Sequence, residues 1–109
     1  MAITSKQITV AGNPPTQVYQ SSGQNAITTM IICNTSTLVN TLIDIYVVSA
    51  VSGFAVGPQT QIINQVPVPA TESFVMDTEK FILEDQDSIS VRSSAAGAIT
   101  VTISTVSTA

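Results

Sequence analysis

The sequence predicts an all-β fold: one antiparallel sandwich, jelly-roll or immunoglobulin-like, of seven to nine short strands. Three observations lead there. Apolar and polar residues alternate with a period of two in several short runs, most cleanly in Ser88–Ser93 and Ala98–Val106. Glycine, proline and small polar residues punctuate those runs at the spacing of an all-β domain. Helical periodicity is absent throughout.

Taken in order, Ile3–Val10 reads as a short first strand or an arm, with Ile8 and Val10 in register. Residues 1–15 are therefore set apart as an N-terminal strand or arm, and 16–109 as the sandwich domain. The break Ala11-Gly12-Asn13-Pro14-Pro15 follows, because paired prolines cannot donate to a ladder. Thr16–Gln20 is a second strand and Ser21-Ser22-Gly23 a turn.

Two apolar runs come next, Ala26–Cys33 and Leu42–Ser49, separated by the polar break Asn34–Thr41. In the second, Ile43, Ile45 and Val47 share one face, and Leu42, Asp44, Tyr46 and Val48 the other. In the first, Ile27, Ile31 and Cys33 lie opposite Met30 and Ile32. A sandwich strand ordinarily has one face in water. Here both faces are largely apolar, so the two runs read as one ribbon in mid-sheet whose outer side something covers.

Val51–Gln59 is a loop carrying Phe54, either a local packing residue or an anchor into a neighbouring subunit. Thr60–Val66 is a strand that Pro67 and Pro69 end or place at an edge. Glu72–Met76 is another, Asp77–Lys80 a polar corner, Phe81-Ile82-Leu83 a brief buried run and Glu84–Asp87 an acidic turn. In Ser88–Ser93, Ile89 and Val91 face in while Ser88, Ser90 and Arg92 face out. After Ala95-Ala96-Gly97, the last strand sets Ile99, Val101 and Ile103 opposite Thr100, Thr102 and Ser104.

A length of 109 residues fits one domain that buries roughly 65% of its unfolded surface. Only 9% of residues are charged; three are basic, and six of the seven acids fall between Glu72 and Asp87. So few cations cannot neutralise a run of phosphates or hold an anionic bilayer, which excludes nucleic acid and membrane as partners. The 44% of apolar residues argue for a packed core, and Ser and Thr supply most of the polar surface. Hydroxyl-rich, charge-poor strands of this kind read either as a solvated β surface or, the reading favoured here, as surface facing sister subunits or a larger assembly.

Cys33 is the one cysteine, so no intrachain disulfide can form, and its apolar run reads as a site for a buried, inert thiol. Neither a signal peptide nor an apolar stretch of about 20 residues is present, so folding in a reducing cytoplasm is expected.

Histidine is absent, which removes Ser-His-Asp and Cys-His mechanisms and imidazole metal sites. The five glycines are scattered, one per turn, and cradle no phosphate. The acids Asp77, Glu79, Glu84, Asp85 and Asp87 read as a solvated corner. Glu84-Asp85-Gln86-Asp87 lacks the glycine and alternating ligands of a calcium loop, and no aromatic stands beside it to hold a sugar. Asn34-Thr35-Ser36 matches a glycosylation acceptor by chance. The expectation is a chain that is not an enzyme, with no catalytic, cofactor-binding or metal-ligating residues and no cofactor.

One ordered set of segments goes further. Val18-Tyr19 is followed by Ile27–Asn34 ending in Cys-Asn, then Leu42–Val48, Val68-Pro69-Ala70, Asp87-Ser88-Ile89 and Ile99–Ile103. This order, over about residues 16–106, resembles a group of small virion proteins of tailed bacteriophages, those of cyanobacterial and marine hosts especially. Gln86 departs from the group, standing where a glycine is common before Asp87.

The resemblance implies a structural β-sandwich on the particle with no catalytic residues. The function expected is a virion structural protein, foremost a capsid decoration or cement protein that assembles as a homo-oligomer, a trimer favoured, with other virion proteins as partners. A neck, tail or fibre component, or a host-surface or glycan-binding module at a tail tip, is the alternative. A monomeric accessory domain would instead cover the outer faces of its central strands from within the same chain. The residues expected at contacts are Leu42, Tyr46, Val48 and Phe54, with the 1–15 arm. On that assignment Tyr46→Asp breaks the oligomer and leaves the fold intact.

Overall fold

The computed structural model describes residues 2–9, 11, 12, 15–49, 61–76, 81–95 and 98–107. Nine strands form: β1 (Ala2–Ile8), β2 (Thr16–Gln20), β3 (Asn25–Asn34), β4 (Thr41–Val48), β5 (Gln61–Val68), β6 (Ser73–Met76), β7 (Phe81–Leu83), β8 (Ser88–Ser93) and β9 (Ile99–Ser107). The alternating runs of the sequence become these strands because period-two patterning lets one side of each enter a core.

The strands divide into two antiparallel sheets. Sheet A runs β1-β9-β3-β6, with β7 pairing β3 beside β6; sheet B runs β2-β8-β4-β5. The partners nest: β4 with β5, β3 with β6 and β7, β2 with β8, and β1 with β9. The chain is thus one long ribbon folded back on itself and rolled until β9 also meets β3 and β8 also meets β4. That winding is a jelly roll, and it settles the choice against the immunoglobulin-like order. Residues 2–8, expected as strand or arm, are a strand of sheet A. Its last residue, Ile8, is wholly buried.

Between the sheets lies one cluster, including Met30, Ile32, Ile43, Ile45, Ile89, Val91, Ile99, Val101 and Ile103. The inward sets expected for β8 and β9 are the ones found.

The two apolar runs do not form a ribbon. Each is in mid-sheet, but β3 lies in sheet A and β4 in sheet B. Asn34 shows how the chain crosses. Its buried side-chain amide donates to the Val39 carbonyl at 2.8 Å and to the Val68 carbonyl of β5 at 2.9 Å. Its Oδ1 accepts the Ser36 amide at 3.0 Å, which folds 34–39 over the edge of the sandwich. With every polar atom of this side chain committed and 1% of the residue exposed, Asn34 offers nothing to a glycosylating enzyme.

Two further expectations change. Ile27 is buried on the same side as Met30 and Ile32, because the β3–β9 register slips between Ile27 and Thr29. A bulge adds one residue and inverts the alternation beyond it. Cys33 is consequently on the outer side of sheet A and half-buried rather than in the core.

Candidate functional site

Asp44 is the one charged residue of β4, and it is buried. An isolated carboxylate there would be costly, and four donors surround it instead. Arg92, directly opposite on β8, brings Nε to within 2.8 Å and Nη2 to within 2.7 Å of Oδ2. The Gln61 side-chain amide donates to Oδ1 at 2.9 Å, and the Gln65 backbone amide at 2.8 Å. The last contact depends on a bulge: the register passes from Ile43↔Val66 to Ile45↔Ile63, so Asn64 and Gln65 stand opposite Asp44 alone. Gln65 takes a left-handed φ of 52° to turn its amide inward.

An ionised carboxylate is acceptor-only, and here both oxygens carry two charge-assisted or amide bonds. What the arrangement does is clamp β4, β5 and β8 together. A partly open cavity of about 180 Å³ lies beside it, with Leu42, Gln65 and Ser94 in its wall. None of its lining residues is aromatic.

The expected contact residues fare differently. Leu42 is 42% exposed, but Tyr46 is 6% and Val48 1% exposed within the single chain. Ser88 and Ser90 face out as expected, opposite Val48 and Tyr46, and are buried with them. The outer face of β4 is therefore covered by its own chain, and Tyr46 and Val48 have no surface left for a partner. Phe54 lies outside the described residues, as do Asp77 and Glu79 of the acidic corner.

The rest of that corner is tied to its own backbone and to the turn before β3. Asp85 Oδ1 accepts the Gly23 amide at 2.8 Å, Asp87 Oδ2 the Glu84 amide at 3.0 Å, and Glu84 Oε1 the Gln24 side chain at 2.8 Å. Among the described residues no three acids, cysteines or histidines gather as a metal would need. Gln86 has a φ of 74°, the left-handed conformation that a glycine adopts without cost. Its amide donates to the Ser21 carbonyl at 2.8 Å.

The open surface is on the other sheet. Across the outer side of sheet A the register gives four rows: Ile82–Ala26–Val106, Thr29–Ser104–Ile3, Val75–Ile31–Thr102–Ser5 and Ser73–Cys33–Thr100–Gln7. All fourteen side chains are at least partly exposed and none is charged. Ile82 is 63% and Val75 50% exposed. Sequence reasoning assigned Ile31 and Cys33 to one face but did not find the surface, because the bulge at Thr28 and the pairing of β3 with β6 and β9 lie outside any single run. The Asp44–Arg92 pair was missed likewise. Its signal was a lone acid in an apolar strand and a lone arginine at an outward position of another.

No family model matches this chain, and neither a curated protein nor a solved structure matches it.

Proposed function

We propose that this chain is a non-enzymatic structural protein of a tailed-phage particle, working by contact area rather than by reaction, foremost as a capsid decoration protein in homo-oligomeric form. A neck, tail or fibre position is the variant of the same reading. The observation that carries it is the open outer face of sheet A, fourteen uncharged side chains on a chain of net charge −4. Such a face costs no ion desolvation when another surface covers it.

Two analogies point that surface toward a virus particle. The jelly roll is a recurrent fold of viral capsid proteins, and the order of segments resembles that of small virion proteins. The fold also carries lectins, so a glycan-binding module is the second reading. Its best place is the cavity beside Arg92, which lacks the aromatic platform that sugars favour. An accessory domain that works alone would cover the outer faces of both central strands; here β4 is covered and β3 is not.

Image reconstruction of phage particles assembled with and without this chain tests the proposal. Added density on capsid, neck or tail is the expected result; identical particles would sink it.

A further inference from the structure

We infer that the outer face of sheet A is where two copies of this chain meet, face to face across a two-fold axis. The inference rests on the assembly reading above only in expecting that copies associate; the surface and its occupant come from the structure.

The edges of both sheets are guarded against pairing. On β1, Lys6 stands opposite the core-facing Val101 yet is exposed, and a charge at an inward register of an edge strand blocks a further strand. β5 carries Pro67 and two register shifts, β2 has five residues and one shift, and β6 and β7 have four and three residues. A contact of useful size must then use a face, and the outer face of β4 is already covered.

Charge selects a second copy as the occupant. An acidic chain repels its own copy unless the contact keeps carboxylates apart. Glu84, Asp85 and Asp87 sit in the corner beside Gly23, Glu72 in the turn before β6, and Asp44 in the other sheet. Every copy brings the same uncharged face, so pairing sets aliphatic and hydroxyl side chains against their like. A face meeting itself does so isologously, as a pair and not the trimer expected from sequence.

The area suffices. The ten residues of β3 and nine of β9 set the length. At standard strand spacings the face measures about 30 Å by about 19 Å, and two such faces remove roughly 1,100 Å², above the roughly 1,000 Å² that a biological interface must clear. Aligned packing at about 10 Å is the ordinary way two such faces join.

The test is a light-scattering concentration series on the full chain, with alkylation of Cys33 as a second readout. The wild type should reach twice the monomer mass, and its Cys33 should react several-fold more slowly once paired. Ile31→Glu, at the centre of the face, should hold the chain monomeric with an unchanged far-UV spectrum. Leu42→Glu, on the other sheet, should pair as the wild type does. Should Ile31→Glu fail to fold, Ile31→Thr keeps the strand-favouring β-branch; its loss of aliphatic surface, counted twice per symmetric pair, should raise the dissociation constant about tenfold or more. A wild type that stays monomeric at the highest attainable concentration overturns the inference. So does a pair that survives the Ile31 variants or is broken by Leu42→Glu. Particle imaging, which a monomer can pass, decides the virion reading separately.

Discussion

The two outer faces of this sandwich come from strands that look alike in sequence and end in opposite circumstances. On sheet B, β4 turns out Leu42, Asp44, Tyr46 and Val48, and all but Leu42 are buried. On sheet A, β3 turns out Ala26, Thr29, Ile31 and Cys33, and all are at least partly exposed. The lesson is that apolar character on both sides of a strand does not say which side stays open. A covered outer face can hold a charged pair because four donors and a bulge were brought to it. An open one dispenses with charge altogether.

Four substitutions break or sharpen that contrast. The largest effect is expected from Tyr46→Asp, which places an unpaired charge where 6% of the residue is exposed. A loss of about 4 kcal/mol, enough to unfold a marginally stable domain, should show as a missing denaturation transition. A folded variant with wild-type stability would mean that this face is open after all. This reverses the expectation from sequence that the same change leaves the fold intact.

Next comes Asp44→Ala, which strands Arg92 and the Gln65 amide, while the Gln61 side chain keeps the Ile63 carbonyl and Asn64 Oδ1. Arg92 keeps some access to water, so the cost should be about 2–3 kcal/mol, below that of a fully buried pair, by urea denaturation. A change under about 0.5 kcal/mol would show that the clamp contributes nothing.

Smaller and opposite in sign, Gln65→Gly relieves the left-handed strain while keeping the amide bond to Asp44. The gain should be up to about 1 kcal/mol, offset in part by the entropy of a more flexible unfolded chain. A clear loss would mean that the glutamine side chain, and not its backbone, holds the bulge.

The smallest effect belongs to sheet A. Ile31→Thr should change the stability of the monomer by less than about 0.5 kcal/mol, measured at low concentration. A loss above about 1.5 kcal/mol would reveal a covering that the fold does not otherwise show, and the contrast between faces would fail.

Much of the fold was legible because it is local. The inward sets Ile89, Val91 and Ile99, Val101, Ile103 follow from alternation, and Pro67 places β5 at an edge. The left-handed φ of Gln86, by contrast, belongs to a conformation that no alternation predicts. What stayed hidden depended on partners far away in sequence. Tyr46 is buried through what surrounds β4, and the neighbours of Ile31, namely Val75 and Thr102, come from two other segments. Ile27 joined Met30 and Ile32 because of one extra residue at Thr28, which no period-two count contains.

Taken alone, the chain of residues determined that strands form, where they break, and that no histidine or thiol pair is available for chemistry. Those properties reside in side-chain alternation and composition, which need no partner to be expressed. Only the rolled-up ribbon decided that β3 and β4 part into separate sheets, that Asp44 meets Arg92, and that the outer face of β4 is largely covered while that of β3 is open. Those are relations between segments, set by register and by what packs over what, and the free energy that selects them exists only once the sheets are together.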